Sequence, residues 1–507
     1  MSITDNPAES PVQEVPAGPG IYQKSIRGGG WFFASVFGQK ALNFASFFIL
    51  ARLLSPSDFG IMTVVTLVVG MAGQLTDFSF GFALTQRKNS VEAFMDAFWT
   101  FDVLRSFAIA LAIFVTGGWI AAWFNIPEQY HILLRLSGLL ILIPSFGNVR
   151  LIYLFRNLSF NKIFWRDMAS QSAYVATAII YAIFFHADAR ALFVGVLIQG
   201  IMGVMISYII VVSRPAFDFR FSRLRELVHF SKWVYGQTLL ESVIAQIDKF
   251  YVGHVLSPLQ LGLYSKAKDL SSNATTMIGS MLNKVAMPAY ARIQDQPEKV
   301  RMGFLQSVDL IVLVSLPAAL LFLLEGGAII SILLGPKWIG MVLLFKIFAF
   351  GNLFLAFVRV VSPVTTGLGR PDINFRLNLL QAVVLFPLMY VGMSYYGVVG
   401  LACSVVVTWL LLLVYTVLQA RKIIHIPKTD FVPALLSAGT AGVCVVVLDL
   451  FLRVFRTGSL PVMIAILELG SLTVLYYLVL YLVSQRFRTG PWNTFLSILK
   501  QLKIVRA

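Results

Sequence analysis

Long apolar stretches separated by short polar breaks run through almost the whole chain. About 20 mainly apolar residues are needed to cross the hydrocarbon core of a bilayer, so the pattern predicts about fourteen membrane-spanning helices. They are expected near residues 29–52, 61–86, 97–124, 131–155, 168–187, 190–213, 232–255, 261–290, 304–333, 340–367, 373–395, 398–421, 431–454 and 459–485. The predicted fold class is an all-α integral membrane protein.

Composition supports this class. Of 507 residues, 58% are hydrophobic and only 13% are charged, which is typical of membrane proteins. Cys403 and Cys444 lie in apolar runs, and two isolated cysteines predict neither a disulfide framework nor a metal cluster. Because the sequence holds no zinc-protease, phosphate-loop or serine-hydrolase motif, we expect no enzymatic activity, no cofactor and no nucleic-acid partner.

The surplus charge of +16 is concentrated in alternate loops. These loops carry Arg87 and Lys88; Arg156, Lys162 and Arg166; Arg214, Arg220, Arg223, Arg225 and Lys232; Arg292, Lys299 and Arg301; Arg370 and Arg376; and Arg421, Lys422 and Lys428. The breaks at 125–130, 256–260 and 396–397 hold no Lys or Arg. By the positive-inside rule, both termini are expected in the cytoplasm. Residues 1–24 are predicted to be a disordered tail and residues 486–507 a basic tail.

An internal repeat divides the chain. Leu54-Ser55-Pro56 with Gly60 matches Leu256-Ser257-Pro258 with Gly262, and Trp31 matches Trp233 at the same offset. We therefore expect a first lobe at 25–213 (spans 1–6), a linker at 214–231, a second lobe at 232–425 (spans 7–12) and two further spans at 426–485. Parallel repeats occur in transporters, with the substrate path between the halves. The alternative is a chance recurrence of Pro/Gly turns.

Ionisable residues at membrane depth are the candidate functional groups, because each is costly there unless it faces protein or water. In the first span, Ser35, Gln39, Asn43 and Ser46 form a polar stripe beside Lys40, which predicts that this helix lines a water-filled space. The candidate substrate-binding cations are Lys40, Arg52, Lys249, Lys266, Lys268 and Arg359. The candidate acids, for ion coupling or internal pairing, are Asp77, Glu241, Asp248 and Asp269.

Two interpretations of these charges stay open. The groups either pair internally, for example Lys266 with Asp269, or line a cavity between the halves. Cations outnumber carboxylates at these depths, so such a cavity is expected to be net positive. A positive cavity suits an anionic substrate, and phosphate is the usual anion for clusters of Lys and Arg.

Short motifs follow one another along residues 25–430. They are Arg52-Leu53-Leu54-Ser55-Pro56-Ser57-Asp58-Phe59-Gly60, Asp77-Phe78-Ser79-Phe80-Gly81, Gln86-Arg87-Lys88, Asp248-Lys249-Phe250-Tyr251-Val252-Gly253, Leu261-Gly262-Leu263-Tyr264, Gly335-Pro336-Lys337-Trp338 and Gly369-Arg370-Pro371. In order and spacing, the set resembles the Wzx-type bacterial polysaccharide flippases of the multidrug/oligosaccharidyl-lipid/polysaccharide exporter superfamily. Ser79 departs from the family pattern, which has Gly beside the Asp.

The resemblance implies a V-shaped, two-lobed transporter that alternates between inward- and outward-open states. The implied cargo is an oligosaccharide repeat unit on undecaprenyl pyrophosphate, flipped across the inner (cytoplasmic) membrane while its tail stays among membrane lipids. Implied energy sources are an H⁺ or Na⁺ gradient or downhill use of the product, and implied partners are a polysaccharide polymerase and assembly proteins.

Two groups of alternatives remain. One is an exporter of a drug or of a peptidoglycan precursor from the same superfamily. The other is a membrane glycan polymerase or ligase, which typically carries a long outward loop. The excess of Lys and Arg disfavours a cationic drug as cargo, and the short outward breaks disfavour the polymerase.

Overall fold

The computed structural model describes residues 19–77, 92–157, 159–221, 224–424, 432–454, 462–487 and 491–501. Its helices are α1 (Pro19–Leu53), α2 (Pro56–Thr76), α3 (Glu92–Trp123), α4 (His131–Leu136), α5 (Leu139–Ser145), α6 (Ile152–Arg156), α7 (Phe160–Phe184), α8 (Ala189–Ile210), α9 (Leu224–Val255), α10 (Pro258–Arg292), α11 (Pro297–Leu333), α12 (Val342–Gly367), α13 (Pro371–Ile424), α14 (Val432–Val454), α15 (Val462–Phe487) and α16 (Pro491–Gln501). Short 3₁₀ turns lie at Glu128–Tyr130, Val149–Leu151 and Pro336–Met341. Within the described ranges no strand occurs, so the all-α prediction is confirmed.

Two of the predicted spans have unusual backbones. The fourth span is broken into α4, α5 and α6 and bends by 58°, with Pro144 inside α5 at the break. Pro removes a helical hydrogen bond there. α13 is a helical hairpin: the Ser404 hydroxyl donates to the carbonyl of Leu388 at 2.6 Å, and Gly397 supplies the turn at φ 59°, a conformation that favours glycine.

Counting the broken span once and the hairpin twice, the described helices α1 to α15 make fourteen crossings. Eight stretches are long and apolar enough to span a membrane by themselves, or nine with the bent pair. α10, which contains the whole of the predicted 261–290 span, is not among them, because its charged residues lower its hydropathy.

The predicted tails differ from the structure in two places. α1 begins at Pro19, inside the segment predicted to be a disordered tail; residues 1–18 and the motif segment 78–91 lie outside the described residues. The C-terminal tail contains the amphipathic helix α16. This helix is too short to cross a membrane, and it is apolar on one face only, so the pattern of long apolar stretches does not predict it.

The repeat offset reappears where α2 of the first lobe crosses α10 of the second. A Cβ atom on Gly60 would lie 1.8 Å from the carbonyl oxygen of Pro258, and one on Gly262 would lie 1.9 Å from that of Pro56. Next to this contact, the hydroxyls of Thr63 and Ser265, 202 residues apart, lie 3.1 Å from each other. The two lobes therefore touch backbone to backbone along a two-fold-like crossing that only glycine permits.

The lobes also join at the end of the bundle that carries the Leu54-Ser55-Pro56 turn, here called the Leu54 end. Arg52 donates to the carbonyls of Ile332 and Leu333 at the C-terminus of α11. In return, the Trp338 indole donates to the carbonyl of Ala51 at 2.9 Å and the Lys337 ammonium to that of Arg52 at 3.2 Å. Each lobe thus supplies donors to the last carbonyls of a helix in the other, groups that have no partner within their own helix.

A segment at the opposite end, 211–221, connects α8 towards α9 and lies against the first lobe. The Asn148 amide donates to the carbonyls of Val211 and Ser213, and the Asp218 amide N–H donates to the hydroxyl of Thr100 at 2.9 Å. Residues 214–221 of the predicted linker are therefore bound to α3 and to the turn that precedes α6, whereas residues 224–231 form the start of α9.

Candidate functional site

A cavity of about 350 Å³, here called the central cavity, lies between the lobes. The first lobe lines it with α1, α2, α7 and α8, and the second lobe lines it with α10. Its charged lining groups are Lys40, Lys266 and Asp269. The central cavity therefore has two cations and one carboxylate.

Lys266 points across aromatic rings. Its ammonium lies 5.4 Å from the ring centre of Phe59 and 5.7 Å from that of Phe47, within the range of cation–π attraction. Both rings also contact the fully buried indole of Trp338, at 5.3 and 5.9 Å between centres. Phe47, Phe59 and Trp338 form an aromatic floor between the central cavity and the Leu54 end.

A second cavity of about 370 Å³, the lateral groove, continues from the first between α1 of the first lobe and α11 and α12 of the second. Its lining is almost wholly apolar, with Phe37, Phe48, Phe322 and Phe345 among the contributors. The two cavities have four lining residues in common, Lys40, Phe44, Leu270 and Asn273. The central cavity with its charged side chains and the apolar lateral groove therefore meet at Lys40.

Lys40 makes no hydrogen bond or ion pair with another described residue, and it lines both cavities. It sits on the part-buried side of α1. An ammonium with no ion-pair partner among the described residues is costly at membrane depth unless water or an anion hydrogen-bonds to it. Lys40, which the sequence predicts to be a cation of the lumen, therefore lies at the wall of both cavities.

The charges of α9 and α10 pair across the two helices, which is the first of the two interpretations. Lys268 donates to Asp248 at 2.5 Å, and Asp248 also accepts from the hydroxyl of Tyr264 at 2.7 Å. Lys249 donates to Asp269 at 2.9 Å. Two parallel ion pairs therefore join these helices, with partners that differ from those suggested by sequence spacing.

Arg52 and Arg359 lie apart from the central cavity. Arg52 is exposed at the Leu54 end, where it donates to the α11 carbonyls. Arg359 on α12 donates to the hydroxyl of Thr276 at 3.0 Å and packs against Gly279. Neither lines the central cavity or the lateral groove.

The remaining two candidate acids lie elsewhere too. Asp77 is exposed at the C-terminus of α2 and does not line the central cavity. Glu241 on α9 accepts hydrogen bonds from Gln237 and from Asn378, at 3.1 and 3.0 Å. The structure thus gathers Lys40, Lys266, Asp269 and, through its ion pair, Lys249, and leaves the others outside this group.

The polar stripe of α1 faces its own lobe more than open water. Ser35 and Gln39 donate to the carboxylate of Asp167 on α7 at 3.2 and 3.1 Å, and Asn43 accepts from Gln171 at 2.7 Å. The stripe therefore lines a wet space only in part, near Asn43 and Ser46. Asp167 was not a candidate because α7 begins at Phe160, eight residues before the predicted start of the fifth span at 168, so that this carboxylate fell in a predicted loop.

A further acidic group also escaped the sequence analysis. Carboxylate oxygens of Glu325, Asp449 and Glu468 lie within 4.8 Å of one another where α11, α14 and α15 meet. α11 leaves helical geometry at Glu325 (φ −109°, ψ 16°). Residues so distant in sequence give no local signal, and this group does not line the central cavity.

The geometry suits an amphiphilic, anionic ligand. Two ammonium groups line the central cavity, and the apolar lateral groove adjoins it. Lysine ammonium groups bind phosphate as mobile point charges, whereas an apolar groove accepts hydrocarbon.

Comparison with known proteins gives one family match. The model of a family described as "polysaccharide biosynthesis protein" matches residues 49–343, more than half of the chain. The matched range includes the Leu54-Ser55-Pro56 turn, the α2–α10 crossing and the lysines of α9 and α10.

Several curated proteins are similar over most of their length. The lipopolysaccharide biosynthesis protein WzxC of Escherichia coli is 21% identical over 75% of this chain and 77% of that protein. The teichuronic acid biosynthesis protein TuaB of Bacillus subtilis is 23% identical over 78% and 83%. The succinoglycan biosynthesis transport protein ExoT of Rhizobium meliloti is 26% identical over 72% and 74%.

Solved structures share the fold. The lipid II flippase MurJ, in an inward closed conformation, superposes with a TM-score of 0.68 at 14% identity, covering 90% of this chain and 98% of that one. An inward-facing MATE transporter of the multidrug/oligosaccharidyl-lipid/polysaccharide superfamily gives 0.54 at 14% identity, over 76% and 94%. The predicted two-lobed, all-α membrane fold is confirmed.

Proposed function

Because this chain belongs to the polysaccharide biosynthesis protein family, we propose that it is a flippase for lipid-linked oligosaccharides, a transporter and not an enzyme. Its cargo is an oligosaccharide repeat unit carried on undecaprenyl pyrophosphate. The protein moves this unit across the cytoplasmic membrane by alternating access, for the synthesis of a cell-surface polysaccharide.

One observation carries this proposal: the cationic central cavity opens into the apolar lateral groove, and Lys40 lines both. A lipid-linked sugar is polar and anionic at one end and hydrocarbon at the other. The lateral groove lets the lipid tail stay near the bilayer interior while the pyrophosphate enters the central cavity. A cavity for a fully water-soluble substrate has no need of a lateral apolar exit.

Lys40 and Lys266 are the proposed pyrophosphate contacts. Both line the central cavity, and neither forms an ion pair with another described residue at the distance of a salt bridge. The central cavity, at about 350 Å³, is small for an oligosaccharide. The sugars therefore require the lobes to separate, as alternating access provides.

The proposed orientation places both termini and the 211–221 segment in the cytoplasm, since the basic loops lie at that end. The Leu54 end then faces the periplasm. Reporter fusions at Ala507 and within 214–231 should report the cytoplasm, and fusions within 125–130 should report the periplasm. A periplasmic C-terminus would contradict an even number of spans.

The cargo proposal is tested by Lys40→Ala and Lys266→Ala. Each removes a charge-assisted contact worth about 1.5–3 kcal/mol, or roughly ten- to hundredfold in affinity. We expect lower transport of lipid-linked sugar by inverted membrane vesicles at equal protein level. The matched control is Lys162→Ala, which removes an exposed lysine at the opposite end. Normal transport by both cavity variants would exclude a cationic lumen.

Deletion of the gene separates this cargo from the peptidoglycan precursor. If the protein is a flippase for surface polysaccharide, its deletion should abolish the polysaccharide while the cells continue to grow. Death with accumulated peptidoglycan precursor would assign the other cargo. Proton or sodium coupling is tested in the same vesicles by collapsing each gradient separately.

A further inference from the structure

Asp269 stands among the cations of the central cavity. It lies one helical turn after Lys266 on α10, and both residues line the cavity. Its side chain is 46% exposed and accepts a hydrogen bond from the Lys249 ammonium on α9 at 2.9 Å. The carboxylate therefore reaches the cavity, whereas the lysine that it binds is only 15% exposed.

The neighbouring ion pair is built differently. Asp248 is 1% exposed and accepts from two donors, the Lys268 ammonium and the Tyr264 hydroxyl. A carboxylate enclosed in this way has no access to a ligand. Among the described residues one donor, Lys249, binds Asp269, and nearly half of the Asp269 side chain is open, so an anion in the cavity can approach this ion pair from the carboxylate side.

We propose that Asp269 is a displaceable internal counter-anion: phosphate groups of the cargo replace it on Lys249, so that this lysine joins Lys40 and Lys266 in holding the cargo. The inference rests on the proposed function. No bond is made or broken beyond hydrogen bonds and ion pairs. A diphosphate offers more charge and more acceptor oxygens than one carboxylate, and the flexible lysine stem lets its three donors turn towards it.

This exchange explains how a cationic cavity is tolerated in the empty protein. An uncompensated ammonium at membrane depth is costly, and Asp269 neutralises one of the cations until cargo arrives. It also lets the cargo bind two conformations with different energies, because the Lys249–Asp269 pair joins α9 to α10 and its loss removes one of the two ion pairs described between these helices. Only such a difference lets a ligand shift a conformational equilibrium.

The test measures binding of undecaprenyl pyrophosphate, without sugars, to the purified full-length protein in nanodiscs. For Asp269→Asn we expect binding roughly three- to tenfold tighter than wild type, since the competing charge is gone. Tighter binding would follow either from release of Lys249 or from loss of repulsion between Asp269 and the cargo, and the double variant below separates these two causes. Equal or weaker binding by a folded Asp269→Asn protein would overturn the exchange. If this variant does not fold, Asp269→Ser carries the same expectation.

A double variant tests whether Lys249 is the group released. In a Lys249→Gln background, Asp269→Asn should give little or no gain in affinity, because no lysine remains to be freed. An equal gain in both backgrounds would mean that Asp269 only repels the cargo by its charge, which contradicts the proposal.

Lys266→Ala separates this inference from the proposed function. Weaker binding by Lys266→Ala without a gain in Asp269→Asn would reject only the exchange. If wild type does not bind undecaprenyl pyrophosphate, both proposals fail. The enclosed pair supplies the last comparison: Asp248→Asn should not tighten binding, since its carboxylate does not line the cavity.

Discussion

The repeat makes α1 and α9 equivalent, yet the two helices use their polar groups in opposite ways. α1 presents hydroxyls and amides that bond to α7, together with Lys40, which lines both cavities. α9 presents Asp248 and Lys249, both ion-paired to α10. The backbone contact at the α2–α10 crossing is symmetric between the lobes, whereas the charged residues of α1 and α9 are not. The two lobes therefore have the same backbone arrangement but contribute different charged groups to binding.

The largest effect is expected from Gly60→Ala, which disrupts the backbone contact at the α2–α10 crossing. The new Cβ would meet the Pro258 carbonyl oxygen at 1.8 Å, and helix backbone cannot move aside as a side chain does. We expect a loss of more than about 4 kcal/mol, the range of severe core defects. The measurement is the folded fraction in detergent, by fluorescence-detected size exclusion. The control is Gly70→Ala on the same helix, where a Cβ meets nothing within 4 Å; equal behaviour of the two would contradict the crossing.

The next effect compares one carboxylate from each lobe. Asp248→Asn leaves Lys268 without its carboxylate in a buried position, which should cost about 3 kcal/mol. Asp167→Asn should cost about 1 kcal/mol, because Ser35 and Gln39 can still donate to the amide oxygen and Arg166 is partly hydrated. Unfolding midpoints in detergent measure both. The reverse order would mean that the first lobe holds the more critical charge.

A smaller difference is expected between the cavity lysines. Lys40→Leu strands no described partner and should change stability by less than about 0.5 kcal/mol, while its transport falls. Lys249→Leu leaves Asp269 unpaired but half hydrated, so we expect a loss of about 1 kcal/mol. The readouts are the detergent unfolding midpoint and the membrane protein level. A strongly destabilised Lys40→Leu would show that Lys40 is structural.

The smallest effect concerns the aromatic floor. Phe59→Leu keeps an apolar side chain but removes the ring nearest the Lys266 ammonium. Loss of a cation–π contact of about 0.5–1 kcal/mol should weaken undecaprenyl pyrophosphate binding roughly two- to fivefold. Phe350→Leu, on α12 and lining neither the central cavity nor the lateral groove, serves as the matched control. An equal loss in both would point to packing in place of charge.

Much of the architecture could be predicted from the sequence because spans need long apolar runs, and the loop charges and the Leu-Ser-Pro repeat mark their order. The partners of buried charges could not. Lys249 and Asp269 are 20 residues apart on different helices, so their pairing depends on how α9 and α10 are rotated. The same limit hid the Glu325, Asp449 and Glu468 group and the roles of Phe47 and Phe59, whose rings resemble any other apolar residue until Lys266 is placed above them.

The donors at the Leu54 end bind helix-terminal carbonyls: Arg52 serves the end of α11, and Lys337 and Trp338 serve the end of α1. Water can hydrogen-bond such carbonyls as readily as these side chains do. Opening this end therefore exchanges protein donors for solvent and leaves no polar group stranded, so it consumes water molecules. The equilibrium between closed and open forms should accordingly respond to water activity, with osmolytes too large to enter the gap holding the Leu54 end shut.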